Sequence, residues 1–438
     1  MGVATRRARR RPNLGRVQRN DGYWSSPWPA EDGGARRLAS PAGGGGFHLA
    51  EGGELVARSR DAMVATMVVL RDPGEVYLLC HTGGDDAISW VERIDPVTLE
   101  VLGRSPDLLG GRTWPGGIAA HADGSLYVVF GRHAHRLSAD LELLGTRELP
   151  RDRPYNSFVV LPDGVLVTKD FAGALPAANQ ANDDRPSELL ALAPGSLEVL
   201  ASIELPEPSV ARISASGNDV YVVGDPSLLR VRWDGVALLL DEDFAGCYLT
   251  EPGQTYGWDA VIGEDAAWFL DDGAGSEGYT GSFIGQGISP SPLHLVRADL
   301  ADSAVTLTEV CGSPNGLIAN PPVLDEARGM VVGYDSSNGV LAGFSIGTDG
   351  TLAPRWSHEQ HHACHAVLFG ETGELVTTDY DASRMAEQLV VRDITTGEEL
   401  GRIDTGSPIQ SPVFMAAGFD RDIYYCSFTT LARISVER

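Results

Sequence analysis

The stretch Thr66–His81, TMVVLRDPGEVYLLCH, decides the fold because it contains two short apolar runs joined by a tight turn. Its second run, VYLLC, is rich in β-type residues and is too short for a helix. The turn between the runs contains Asp, Pro and Gly, which readily adopt the backbone angles of a hairpin. The stretch therefore predicts a β-hairpin.

The same pattern recurs along the whole chain. Seven further copies begin near Gly117, Ser157, Ala211, Trp258, Asn320, Cys364 and Pro412. Most copies are followed by a second pair of strands, and the repeats are spaced by about 40–60 residues, as in the blades of a four-stranded propeller. We predict an all-β protein with a single β-propeller of eight four-stranded blades, or of seven if one repeat is degenerate.

The two ends of the propeller must meet, because an open ring would expose sheet edges. The eighth repeat ends soon after its third strand, Leu431–Val436, and the segment Gly53–Arg58 (GELVAR) can supply the missing outer strand. Residues 1–47 are polar, basic at their start and rich in glycine, so we predict a mostly unstructured arm there. The propeller domain is then expected to span residues 48–438.

Composition and charge exclude several classes of partner. The 438 residues include 52 Gly and 26 Pro, as expected for a protein with many turns, and 60 acidic against 34 basic residues give a net charge of −26. Such a chain repels nucleic acid, and it has no run of about 18 apolar residues that would span a membrane. Five scattered cysteines and the lack of an apolar segment after the basic leader favour a soluble cytoplasmic protein.

Polar residues are expected to converge at one face of the disc, the channel mouth, where first strands begin and second strands end. Second strands end at Asp170, Asp271 and Asp379, and first strands begin near Asn156, Arg212, Asp259, Asn315 and His365. Oxygen ligands favour Ca²⁺ or Mg²⁺, and an imidazole favours a transition metal. The alternative is that aspartates at strand ends only cap loop amides.

Lys169 stands out because it is the single lysine among 34 basic residues. Lysine, unlike arginine, can lose its proton when it is buried. We therefore interpret Lys169, together with Asp170 and Asp379, as a candidate catalytic group that acts as a general base or as an oxyanion partner. A bias toward arginine codons, with one lysine left by drift, is the alternative.

Two long loops are predicted over the mouth, Phe171–Pro186 and Gly273–Pro292. Long loops in compact domains are often functional, although these two can equally be plain insertions. Tyr279 in the second loop is a candidate substrate-binding residue. Its predicted partners in substrate binding are Asn156, Arg212 and Asp271.

Four segments together resemble a block of the SMP-30/gluconolactonase/strictosidine-synthase-like propellers. They are Ser313–Leu317 (SPNGL), Val331–Ser336 (VVGYDS), Phe344–Ile346 (FSI) and Asp349–Leu352 (DGTL). The resemblance covers about 40 residues and implies that Asn315 binds a divalent metal, with His365 where the family often has an aspartate ligand. It also implies hydrolysis of lactones or esters. Those propellers typically have six blades, and no equivalent of their first-blade glutamate ligand is found here.

These observations lead to a first functional hypothesis and two alternatives. The first is an enzyme that hydrolyses a lactone or ester of a small organic molecule at a divalent metal held by Asn315, Asp259 and His365. The second is a non-catalytic propeller that binds a ligand or protein partner. The third is a redox metalloenzyme that uses the histidine cluster His358–His365 (HEQHHACH).

Overall fold

The computed structural model describes residues 22–173, 185–272, 281–287, 289–318 and 320–437. Within these ranges the chain contains 33 strands and no α-helix, only two three-residue 3₁₀ turns, Glu31–Gly33 and Leu49–Glu51. The strands form eight sheets, and neighbouring strands are antiparallel in each of them. The prediction of an all-β propeller with eight blades is therefore confirmed.

The first four blades follow one another along the chain. Blade 1 contains β2 (Ala65–Leu70), β3 (Val76–His81), β4 (Ala87–Ile94) and β5 (Val101–Arg104), with β6 (Leu108–Gly111) also paired to β4. Blade 2 contains β7 (Gly117–Ala120), β8 (Leu126–Phe130), β9 (His133–Leu137) and β10 (Leu143–Glu148). Blade 3 contains β11 (Tyr155–Val160), β12 (Leu166–Asp170), β13 (Glu188–Leu192) and β14 (Val199–Glu204). Blade 4 contains β15 (Ser214–Ser216), β16 (Asp219–Val223), β17 (Ser227–Trp233) and β18 (Leu238–Cys247).

The remaining blades complete the ring. Blade 5 contains β19 (Val261–Ile262), β20 (Ala266–Leu270), β21 (His294–Asp299) and β22 (Val305–Glu309). Blade 6 contains β23 (Val323–Asp325), β24 (Met330–Asp335), β25 (Val340–Ile346) and β26 (Leu352–Glu359). Blade 7 contains β27 (Val367–Phe369), β28 (Glu374–Asp381), β29 (Ala386–Asp393) and β30 (Glu399–Asp404). Blade 8 contains β31 (Met415–Ala417), β32 (Asp422–Cys426), β33 (Thr430–Glu437) and β1 (Glu54–Asp61).

The ring closes through a strand that precedes all the others. β1 pairs with β33 along its full length, from Glu54 opposite Glu437 to Asp61 opposite Thr430. The outer edge of blade 8 is thereby supplied by the N-terminal side of the chain, as the GELVAR segment predicts. One large apolar cluster joins blades 7, 8, 1 and 2 across this closure.

Burial falls from the axis to the rim of each blade. Every residue of the inner strands β2 and β3 is buried, because neighbouring sheets cover both of their faces. The outer strand β10 is exposed at nearly every position. Continuous apolar runs at the second strand of each repeat therefore reflect burial on two faces.

Residues 22–47 differ from the predicted unstructured arm, and we call this segment the plug. Its backbone and Tyr23 hydroxyl form hydrogen bonds at the closing ends of first strands in six blades, with Leu70, Ala120, Val160, Ala215, Ile262 and Leu368. Trp28 and Phe47 are 1% and 0% exposed. The plug therefore lies across the channel at the end opposite the mouth, and the arm prediction is wrong for these residues because their aromatic side chains bury against the ring.

Candidate functional site

The plug carries two acidic side chains into the middle of the ring. Glu31 and Asp32 are 5% and 2% exposed and lie in a tight turn in which Gly33 and Gly34 donate backbone hydrogen bonds to Ala30 and Glu31. Asp32 has a φ of 49°, a left-handed conformation that aspartate tolerates better than most residues. The turn thus places two carboxylates where the sequence predicted only a flexible arm.

Arg37 ties these carboxylates to the wall of the channel. Its guanidinium donates to Glu31 and to Asp32 Oδ2 at 2.8 Å, and its Nε donates to the Ile213 carbonyl at 2.9 Å. Burial opposes its charge, but the carboxylates of Glu31, Asp259 and Asp32 raise the pKa of Arg37 above its ordinary value. Arg37 therefore acts as a fixed positive charge that holds the plug in the ring.

Asp32 also forms a buried pair with His365, which precedes the first strand of blade 7. Asp32 Oδ1 lies 2.8 Å from His365 Nδ1, and the imidazole packs on Phe414 with ring centroids 4.0 Å apart. Burial opposes ionisation of Asp32, but His365 and Arg37 together lower its pKa below the ordinary value. An ionised carboxylate only accepts hydrogen bonds, so it fixes the proton of a neutral His365 on Nδ1. Within the described residues His365 Nε2 makes no hydrogen bond.

Arg212 and Asp259 complete the charged cluster at the starts of blades 4 and 5. Asp259 Oδ1 accepts the Arg212 backbone N–H at 2.7 Å, and the Arg212 guanidinium lies 3.2 Å from Glu31. It also donates to the carbonyls of Pro115 and Asn156. Burial raises the pKa of Asp259, although Arg37, Arg212 and His365 act against this shift. The predicted residues Arg212, Asp259 and His365 are thus brought together, but around acids from the plug.

Three buried polar atoms near this cluster have no hydrogen-bond partner within the described part of the chain. They are His362 Nε2, Tyr334 Oη and Asn156 Oδ1. The Thr378 N–H donates to His362 Nδ1 at 3.0 Å, so a neutral His362 carries its proton on Nε2. Leaving such groups unpaired costs about 1–3 kcal/mol each. They are therefore available to the polar groups of a ligand.

Electrostatics link these atoms to the charged cluster. Burial, with a further contribution from His365, lowers the pKa of His362 to about 3, so this imidazole is neutral at physiological pH. Its ring meets the Tyr334 ring edge-on at 4.6 Å. Burial raises the pKa of Tyr334, and the charges of Asp259 and Asp32 add to this shift. The site thus combines a histidine–aspartate pair with two neutral hydrogen-bond donors.

The structure does not bring together the three predicted catalytic residues. Lys169 is fully buried in blade 3, and its ammonium donates to the carbonyls of Asp170 and Ser209 at 2.8 and 2.7 Å. The Asp170 carboxylate is held instead by Arg153 and the Glu188 N–H. Asp379 lies in blade 7, where Arg402 donates to it at 2.7 Å. Burial lowers the pKa of Lys169 to about 8, against the opposing charges of Asp170 and Asp259.

The predicted substrate-binding residues are divided in the same way. Asn156 and Arg212 lie at the axis, as described above. Asp271 pairs with His294 Nδ1 at 2.7 Å and accepts a hydrogen bond from Gln254 at 2.8 Å. Tyr279 lies outside the described residues, as do the rest of residues 273–280 and residue 288 of the loop that contains it.

The three predicted metal ligands do not form one ligand set. Asp259 and His365 are buried at the axis, whereas Asn315 is exposed in a loop with a φ of 62°. Asp259 already accepts the Arg212 N–H, and His365 Nδ1 faces Asp32. Within the described ranges no three His, Cys, Asp or Glu side chains are arranged to hold a metal ion. A divalent metal at these residues stays a prediction, and no step below depends on it.

The histidine cluster behind the redox hypothesis is dispersed. His358 lies on the outer strand of blade 6 against Trp356, and His361 is partly exposed. Only His362 and His365 are buried beside the axis. The redox hypothesis therefore has two of the four imidazoles of this cluster, His362 and His365, in buried positions.

Sequence reasoning missed Glu31, Asp32 and Arg37 because it assigned them to a disordered arm. The available signal was a group of three tryptophan and tyrosine residues, Tyr23, Trp24 and Trp28, just before the two acids. Large aromatic side chains dominate the energetics of cores and interfaces, so such a group indicates a docked segment.

Comparison with known proteins supports the fold alone. No family profile matches the chain, and no curated protein matches its sequence. A solved structure of quinohemoprotein alcohol dehydrogenase from Comamonas testosteroni is similar, with a TM-score of 0.64 and 10% identity over 95% of this chain and 82% of that one. BamB from Moraxella catarrhalis has a TM-score of 0.56 and 10% identity over 87% and 97% of the two chains. The computationally designed Ika8 protein has a TM-score of 0.55 and 12% identity over 88% and 100%.

These neighbours are propellers and do not single out the gluconolactonase-like family. One of them is named as an alcohol dehydrogenase, and another is a computationally designed protein. At about 10% identity they establish the architecture of this chain and leave its chemistry to the site itself. No helix in the described ranges has the length and apolar character needed to cross a membrane.

Proposed function

We propose that this protein is an enzyme that hydrolyses an ester or lactone bond of a small organic molecule in its central channel. The observation that carries the proposal is the buried Asp32–His365 pair, in which Nδ1 is held by a carboxylate and Nε2 stays unbonded within the described residues. A carboxylate that orients an imidazole in this way makes its second nitrogen a general base.

The chemistry assigned to this pair is acid–base catalysis of water addition. His365 Nε2 takes one proton from a water molecule while the water oxygen bonds to the carbonyl carbon of the substrate. The tetrahedral intermediate then breaks its bond to the alcohol oxygen, which receives the proton from His365. The products are a carboxylic acid and an alcohol, or one hydroxy acid when the substrate is a lactone, and Asp32 stabilises the imidazolium in between.

The neighbouring groups provide the polar environment that this reaction needs. His362 Nε2 and Tyr334 Oη are buried donors without partners in the described part of the chain. Donors of this kind stabilise the oxyanion of a tetrahedral intermediate, and one such donor contributes about 10²–10³ in rate. The Arg212 guanidinium adds a positive charge at Glu31, and it packs on the same Phe414 ring as His365.

The test is hydrolysis of a panel of chromogenic esters and lactones with graded acyl chains. His365→Asn should lower kcat/KM by about 10²–10⁴, the usual contribution of a general base. Asp32→Asn should lower kcat more than it raises KM, because it leaves the imidazole present but misoriented. The matched control is His121→Gln, since His121 is 4% exposed and pairs with Asp123 in a turn at the opposite face of blade 2.

The proposal fails if the purified protein hydrolyses no member of the panel, or if His365→Asn is as active as His121→Gln. A second candidate is a ligand-binding propeller without turnover. It is favoured by the fact that Glu31, Asp32 and Asp259 all have partners inside the cluster. Saturable binding of an ester or lactone without product formation would select this second candidate.

A further inference from the structure

A second unusual site lies between blades 7 and 8, around Glu387. This residue is the second residue of β29, and its backbone bonds to Thr405 and Ser407 in the connection to blade 8. Its side chain is completely buried. Within the described residues neither of its carboxylate oxygens accepts a hydrogen bond, and the nearby Tyr425 hydroxyl is also unpaired.

No positive charge among the described residues compensates this carboxylate. Burial raises the pKa of Glu387 well above its ordinary value, and the negative charge of Asp379 adds to this shift. Asp379 is itself neutralised by Arg402 at 2.7 Å. The hydroxyl of Thr378 and the N–H of Ser411 face the carboxyl group and act against this shift without completing a hydrogen bond.

Blade 7 contains a second buried glutamate, Glu374, whose carboxylate does accept hydrogen bonds. Glu374 is 2% exposed, and its carboxylate accepts the N–H groups of His48 and Leu49 at 3.0 and 2.7 Å. The Thr372 hydroxyl adds a third hydrogen bond at 2.9 Å. By comparison, the two carboxylate oxygens of Glu387, unpaired within the described residues, indicate that their partner is a bound ion or molecule.

We propose that Glu387 binds a monovalent cation, Na⁺ or K⁺, between blades 7 and 8. An ion-sized charge buried alone costs several kcal/mol, so a buried carboxylate needs a counter-ion close by. The Thr378 hydroxyl faces the carboxyl group of Glu387, and the Tyr425 hydroxyl lies close by, next to the hydroxyls of Thr405 and Ser407. Hard cations prefer oxygen ligands. A single carboxylate balances one positive charge, whereas divalent sites are generally built from more acidic side chains.

The site has a structural consequence that is separate from the proposed hydrolase activity. Glu387 belongs to blade 7, whereas Tyr425 belongs to the central strand β32 of blade 8. A cation held by both would join the two blades beside the sheet that closes the ring. Its loss should therefore lower the stability of the whole propeller.

The first experiment measures thermal unfolding in NaCl, KCl and choline chloride at equal ionic strength. For the wild type, Tm should rise with Na⁺ or K⁺ over choline and then saturate. The rise should reach about 3 °C when the cation is at about a hundredfold its dissociation constant. Glu387→Gln should remove this increment. Glu374→Gln, the matched control, should lower Tm in every salt but keep the increment.

The second experiment covers the case in which Glu387→Gln does not fold. Crystals of the wild type grown with Rb⁺ should show an anomalous peak within ligand distance of the Glu387 carboxylate. Equal Tm values in choline and alkali chlorides, or no peak at Glu387, would overturn the proposal and identify the group as a protonated carboxylic acid. An increment that survives in Glu387→Gln would also overturn it, because the cation would then bind elsewhere.

Discussion

Replacement of Arg37 by methionine should destabilise the propeller strongly, because it leaves two buried carboxylates without one of their positively charged partners. Arg37 is 2% exposed and bridges Glu31 and Asp32, which are themselves 5% and 2% exposed. Removing one partner of a buried ionic network costs about 3–5 kcal/mol. Arg212 still reaches Glu31, and His365 still reaches Asp32, so the lower end of that range is expected.

This free energy converts into a measurable change in melting temperature. An unfolding entropy of about 2.1 cal/mol/K per residue over 438 residues gives about 0.9 kcal/mol/K for a cooperative transition. A loss of about 3 kcal/mol then lowers Tm by about 3 °C. Scanning calorimetry measures this shift directly, and tryptophan fluorescence follows the environment of the buried Trp28 in the plug.

The control for this prediction is an ion pair of the same chemistry on the surface. Arg384 pairs with Asp404 at 2.7 Å, but both side chains are about half exposed. Such pairs contribute about 0–1 kcal/mol, so Arg384→Met should shift Tm by 1 °C or less. The double variant Arg37→Met/Asp32→Asn should recover part of the lost stability, because it removes one of the two carboxylate charges that Arg37 compensates. Equal shifts for Arg37→Met and Arg384→Met would refute the buried network.

Two further predictions concern buried titratable groups with pKa values near 8. For Lys169, the folded pKa of about 8 lies below the ordinary 10.5. The unfolded chain therefore binds more protons than the folded one between these pH values, and the free energy of unfolding should rise with pH there by up to about 3 kcal/mol. Lys169→Met should flatten this part of a pH series of denaturant unfolding, and an unchanged slope would contradict the shift. For Glu207, burial, with a further contribution from Asp225, raises the pKa from 4.5 to about 8. The contribution of this residue to stability is therefore complete below pH 4.5 and is lost as the pH rises through 8. Glu207→Gln should remove that decline in the same assay, and a variant as pH-sensitive as the wild type would contradict the raised pKa.

The repeated hairpins made the fold predictable, because each blade contains its own local signal. Each repeat has turn-forming residues between two β-type runs. Eight such repeats along the chain identify the four-stranded blades. The closing strand was predictable for a related reason. The incomplete eighth blade required a partner, and GELVAR was the segment in the right place, which β1 confirms.

The site was less predictable, because its members come from parts of the chain that share no local pattern. Alignment of the repeats correctly placed Arg212, Asp259 and His365 at first-strand starts. It also suggested a meeting of Lys169 with Asp379, because equivalent positions in different blades were treated as neighbours. In the structure each of them is satisfied within its own part of the ring, by two carbonyls and by Arg402 respectively.

The position of the plug explains why the candidate site and the closure of the ring depend on each other. Asp32 comes from the chain before the ring, whereas its partner His365 precedes blade 7, 333 residues later. Only residues 48–53 separate the plug from β1, and six residues span at most about 20 Å. When β1 pairs with β33, it therefore confines the plug to the neighbourhood of the channel. The carboxylate that orients His365 thus comes from the segment directly before the strand that closes the ring. We therefore expect the histidine–aspartate pair to form only in a completed propeller.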